Sequence, residues 1–229
     1  MACGCAVGTT EVPTVTDLVA AGDPVRRRLT ARHEAREHGL AASRDAIRAA
    51  ANAIRAIHRR DLDVADGLID EARVSLDAAM TSLAPHPDVL YAGFVQDAAK
   101  EVAEAVLTRA AIRGEPLPCP EVVGVDDVSW LHGLAETIGE LRRASLDHVR
   151  DGRLDDAEQL LETMQEILAV LATIDVPDGL SRGLRRATDV GRSITERTRG
   201  DLTAAAGQRE LRDALDAHRR ALERVLDQQ

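Results

Sequence analysis

Three aromatic side chains, Tyr91, Phe94 and Trp130, are all that the 229 residues contain. Ala, Leu, Val and Ile must therefore fill the core, and a chain this long can bury one without staples. Such a composition favours helix over strand. Cysteine is equally scarce. Cys3 and Cys5 stand close together and Cys119 sits alone in a Pro-rich turn. This excludes a disulfide framework, and two neighbouring thiols without partners make a weak metal site, so inert thiols in a reducing cytoplasm are expected. Lysine is nearly missing: Lys100 is the one Lys among 29 basic residues, the rest being Arg. No apolar run reaches the length of a membrane span and no signal-like apolar core opens the chain. A soluble, cytoplasmic protein is expected.

What is present is acid. The formal net charge is −10, which excludes a bulk polyanion binder. Any nucleic-acid contact must come from a local Arg patch working against an unfavourable overall field.

Residues 1–22 show no sustained period and read as a flexible tail, followed by a single helical domain over 23–229. Asp23 and Pro24 look like an N-cap and first helical position, opening a helix that runs to about Arg60. A second helix ends at Pro85 and Pro87. A third spans 88–113, and a loop with three prolines follows it. A fourth runs from about Val128 to Arg150 and a fifth from Asp155 to Thr173. The rest, from about Leu180, is one long helix or two divided near Gly200 or Gly207. No strand alternation and no fixed repeat occur. The fold class is all-α: a bundle of about six or seven long helices. Leu211, Leu215, Leu222 and Val225 lie near coiled-coil spacing, which suits a docking or oligomer helix.

Two stripes could carry chemistry. On the third helix, Tyr91, Phe94, Val95, Ala98, Val102 and Val106 define an apolar face, and Asp97, Glu101 and Glu104 lie along one side of it. Glu101 is expected nearest that face and partly buried, with Glu104 further out. Close carboxylates bind a hard divalent cation or share protons; on spacing alone the favoured reading is solvated acids, with Lys100 pairing with Glu104. In the stretch SRDAIRAAANAIRAIHRRD, Arg44, Arg48, Arg55 and Arg59 fall within ~60° on the helical wheel, over roughly 20 Å. Guanidinium groups in such a row match a phosphate backbone; the alternative is a solvated face paired with nearby Asp. No Gly-rich phosphate loop is present. No Glu precedes a His by three residues, which excludes the ferritin-like di-iron pattern. His33 and His38 are wrongly spaced for a zinc-protease motif.

Four segments, in order, carry a resemblance: ASRDAIRAAANAIRAIHR, YAGFVQDAAKEVAEA, LHGLAETIGELRR and GLRRATDVGRSITERTRGDLT. From about Arg32 to Thr203 the chain resembles the translin family, including translin-associated factor X, and its Arg-rich acidic style is similar to a haloarchaeal member. The resemblance implies a closed octameric shell of helical subunits that binds single-stranded RNA or DNA. In the X-type members it implies a metal-dependent endoribonuclease using Mg2+, with Mn2+ as a substitute. The family's E-Y-V-E-A acids fall on Glu101 and Glu104, with Val102 in place of the Tyr. The third family acid is expected on the fifth helix, where the resemblance puts Ala169; Glu166 and Glu140 are the candidates to replace it. Binding through the Arg stripe is therefore expected ahead of catalysis. The alternative is a non-catalytic helical scaffold.

Overall fold

The computed structural model describes residues 18–226. Six long helices carry the architecture: α1 (Leu18–His58), α2 (Leu62–Leu83), α4 (Phe94–Ile112), α6 (Asp127–Arg150), α7 (Leu154–Ala172) and α9 (Leu184–Leu226). Three four-residue helices sit in the connections: α3 (Pro87–Leu90), α5 (Pro120–Val123) and α8 (Asp178–Ser181). The structure is all-α among the described residues, as the composition required.

The α4–α6 pair lies at the centre. α1, α2 and α6 pack on α4, while α7 and α9 pack on α6 and on each other. α4 is buried on nearly every side, including Val95, Ala98, Val102, Val106 and Leu107. Small side chains make this possible. Ala46, Ala49, Ala50 and Ala53 of α1 and Ala98, Ala99 and Ala103 of α4 are all buried, so the backbones approach closely and Leu, Ile and Val fill the remaining space.

Several boundaries differ from expectation. Asp23 and Pro24 lie inside α1 and start nothing. Residues 1–17, with Cys3 and Cys5, lie outside the described residues. The third helix is interrupted after Leu90, where Gly93 takes φ 113°; Tyr91 is therefore off α4 and 67% exposed rather than on its apolar face. Asp126 caps α6, its side chain accepting from the Ser129 amide at 3.1 Å. The last segment is a single helix through Gly200 and Gly207. Its inner seam is built on Leu184, Thr188, Thr195, Thr198 and Leu202. The buried threonine hydroxyls donate to carbonyls one turn back, as Thr188 does to Leu184, so polar residues sit in the interface at little cost. Ala205 and Ala206 still pack on the core and Arg209 pairs with Asp155 of α7 at 3.0 Å; beyond them Leu211, Leu215, Leu222 and Leu226 are all more than half exposed. No helix among the described residues is long and apolar enough to cross a membrane.

Candidate acid cluster and nucleic-acid face

Four carboxylates meet where α4 faces α6. Glu101 and Glu104 come from α4, and Glu136 and Glu140 from α6. The charges of Glu101, Glu140 and Glu136 all bear on Glu104. Each pair sits about one turn apart on its own helix, so two facing helices present both pairs to the same space. Lys100 is drawn into the group, with Nζ 3.0 Å from Glu101 Oε1 and 3.7 Å from Glu136 Oε1. The expected Lys100–Glu104 ion pair is not formed; Lys100 joins the two helices instead.

The two α4 acids exchange the roles expected of them. Glu104 is buried, at 8% exposure, whereas the Glu101 side chain retains 26%. Packing of α6 is the cause. Gly133 lets α6 press on α4 so closely that a Cβ built on it would lie 3.0 Å from the Glu104 amide nitrogen. That contact seals the Glu104 side of α4, and a wheel of α4 alone cannot show where α6 lands. Asp97, the third acid of the stripe, is exposed.

The environments of the acids diverge. The Glu104 carboxyl is pushed up to about 8, chiefly by burial, then by the charges of Glu101, Glu140 and Glu136, with Lys100 opposing. Among the described residues it has no hydrogen-bond partner and no cation within ion-pair distance. Glu140 moves the other way. A hydrogen bond from His58 Nε2 to its Oε2 holds it below the usual carboxylate range, against burial, with the charges of His58 and Arg143 assisting. Burial pulls the Lys100 ammonium down, but the hydrogen bond to Glu101 and the surrounding acid charge outweigh it, and the net shift is upward. One acid is thus shifted toward its protonated form and another toward its ionised form within one cluster, the arrangement that separates proton donor from acceptor in carboxylate chemistry.

The donor set suits a hard divalent ion, which takes carboxylate oxygens. A buried carboxyl without a partner, among three others, is what such an ion would neutralise. The side chains as placed do not yet close on one ion: no three His, Cys, Asp or Glu groups among the described residues are near enough to share it.

Glu136 is the residue that sequence reasoning missed. The signal was available in LAETIGELRR, where Glu136 precedes Glu140 by four residues. The substitutes sought on α7 are not in the cluster. Ala169 and Glu166 are both exposed on α7, and neither is among the charges acting on Glu104. α7 packs chiefly on α6 and α9.

The Arg stripe holds together. Arg44, Arg48, Arg55 and Arg59 are all exposed along α1. Arg48 pairs with Asp45 at 2.8 Å and Arg55 donates to Asn52 at 2.6 Å, while the Arg44 and Arg59 guanidinium groups have no partner among the described residues. The stripe ends at the acid cluster: His58, next to Arg59, is the group that holds Glu140.

No family model matches the chain. It is 29% identical to an uncharacterized protein of Methanocaldococcus jannaschii over 182 residues, 79% of this chain and 80% of that one. Among solved structures it is similar to AfC3PO in complex with duplex RNA, at 30% identity and TM-score 0.76, over 82% of this chain and 98% of that one. It matches AfC3PO alone at 30% identity and TM-score 0.75, with the same coverage. Apo-NeC3PO shares the fold at 18% identity and TM-score 0.69, over 85% of this chain and all of that one. With near-complete coverage of AfC3PO and the four ordered segments on the helices that build the site, the chain belongs to the C3PO (translin) family.

Proposed function

We propose that the protein binds RNA and cleaves it at the acid cluster with a divalent metal ion, Mg2+ or Mn2+. The observation that carries this reading is the meeting of Glu101, Glu104, Glu136 and Glu140, with Glu104 buried and unpaired. AfC3PO, to which the chain is similar, has been solved with duplex RNA. A helical scaffold whose acids are surface charge does not account for a glutamate that is 8% exposed and surrounded by three other acids.

In this reading Arg44, Arg48, Arg55 and Arg59 hold the phosphate backbone along α1 and deliver it to the cluster. Glu101, Glu104 and Glu136 would hold the metal, which when bound supplies Lewis acidity to a phosphoryl oxygen and a lowered pKa to water. Glu140, kept ionised by His58, is the acid suited to accept a proton, and Lys100 adds positive charge beside the phosphate. The free arm of α9, with its exposed leucines, suits assembly with further copies into the octameric shell that the family resemblance implies.

The test is cleavage of single-stranded and duplex RNA with Mg2+ or Mn2+, repeated with a chelator. Wild type should cut, the chelator should stop it, and Glu104→Gln with Glu136→Gln should be inactive while still binding. Replacing the four stripe residues with Ala should weaken binding and flatten its salt dependence. Cutting that survives both Gln substitutions would remove the cluster from the reaction. Binding that is unchanged in the four-Arg variant would remove the stripe.

A further inference from the structure

A groove of about 250 Å3 runs between α6 and α9 beside the acid cluster, with Glu136 and Gly139 on one wall and Arg186, Val190 and Ile194 on the other. It shares Glu136 with the cluster, so whatever lies in the groove adjoins the acids. Its size is below the roughly 300–1,000 Å3 of pockets that enclose a drug-sized ligand, which suits one ring system. Its walls are mixed. Val190 is 53% exposed, Ile194 packs against the core, and Arg186 is exposed and makes no hydrogen bond or ion pair with another described residue.

Gly139 forms the floor of the groove. Glycine in a helix interior lowers helix stability relative to Ala, and Gly67, Gly200 and Gly207 likewise have open space where a Cβ would stand, but of these four only Gly139 lines the groove. Elsewhere in the interface packing calls for glycine: a Cβ on Gly133 or Gly191 would clash with Ala103 or with Ile138. A Cβ on Gly139 would meet nothing within 4 Å, and its backbone is ordinary helix. Neither packing nor backbone geometry requires glycine at this position. What its missing side chain does is keep the floor of the groove open.

We infer that the α6–α9 groove holds one unpaired nucleoside of an RNA strand whose neighbouring phosphate lies at the acid cluster. The base rests on Gly139 against Val190 and Ile194, and Arg186 takes the phosphate on the far side. This rests on the RNA-cleaving reading above. The chain's three aromatic residues are all outside the groove, so the base meets aliphatic carbon and discrimination among bases is weak. A paired base would bring its partner strand against α9, so the groove selects single-stranded or frayed RNA at the cutting point.

The test uses Gly139→Leu, Gly139→Ala, Val190→Asp and Arg186→Ala with short labelled oligoribonucleotides, including a series with one abasic residue moved along the strand. Gly139→Leu should keep the wild-type melting temperature or exceed it, and should weaken single-strand binding about tenfold, the loss of one buried apolar contact. Val190→Asp should weaken it similarly if Gly139→Leu folds poorly. One abasic position should cost wild type the same affinity, and Gly139→Leu should cost nothing more on that oligonucleotide. Arg186→Ala should lower the slope of log K against log salt by about 0.7, one single-strand phosphate. Wild-type RNA that binds and is cut, with both Gly139→Leu and Val190→Asp unchanged in affinity, overturns the groove alone. Wild type that neither binds nor cuts overturns the RNA-cleaving reading and the groove with it.

Discussion

Gly133 of α6 stands so close to Ala103 of α4 that a Cβ on the glycine would lie 2.6 Å from the alanine's own. This contact holds α6 against the α4 backbone beside Glu104. The same substitution at two glycines six residues apart on α6 should therefore have opposite signs. Gly133→Ala should destabilise, the overpacking cost of about 1–3 kcal/mol exceeding the helix-propensity gain of about 1 kcal/mol. Gly139→Ala should stabilise by up to about 1 kcal/mol. Urea denaturation of the two variants checks the pair, and two shifts of the same sign would show that the α4–α6 contact is looser than described.

Glu104 should make the metal-free protein less stable as pH rises. Its carboxyl titrates near 8 in the fold against a reference of 4.5. Between those values the folded chain holds a proton that the unfolded chain has lost. Stability therefore falls with rising pH across that window, by at most about 1.4 kcal/mol per pH unit, and levels off above it. Glu140, shifted downward, acts oppositely: its contribution is present above its ordinary value and lost as pH falls through its lowered one. Thermal melts in chelator from pH 5 to 9 should show a declining melting temperature that Glu104→Gln flattens.

Divalent ions should reverse that decline. An ion that binds the fold and not the unfolded chain stabilises by mass action. At the cluster it must displace the Glu104 proton, so the rise in melting temperature with Mg2+ or Mn2+ should grow from pH 6 to pH 8. An increment that is equal at both pH values, or that persists in Glu104→Gln, would place the ion elsewhere.

His58→Ala should cost about 2–3 kcal/mol. Its side chain is 5% exposed and supplies the hydrogen bond that Glu140 accepts, and a half-buried carboxylate without a donor carries a desolvation penalty. The double variant His58→Ala with Glu140→Ala should be less destabilised than the two single losses added together, which chemical denaturation of the cycle would measure.

The helices were legible because their signals are local. The boundaries of α6 and α7 and the prolines after α2 and α4 all follow from neighbouring residues. Site residues on one helix were legible too: the Arg stripe and the Glu101–Glu104 pair are periodic patterns. What escaped was set by contacts between helices. The burial of Glu104 depends on where Gly133 brings α6 down, and Glu136 joins the acids only because α6, rather than α7, faces them. The break at Gly93 was hidden because Tyr91 and Phe94 continue an apolar rhythm across a turn that glycine's φ of 113° makes.

Lys100, partly exposed between Glu101 and Glu136, is the only lysine in the chain. An amine-directed reagent thus has a single side-chain target, and it lies at the mouth of the acid cluster. While the acids hold the ammonium charged, acylation there should be slow. An ion that draws Glu101 and Glu136 away would release the amine and quicken the reaction, so the labelling rate at this one nitrogen reports whether the cluster is occupied.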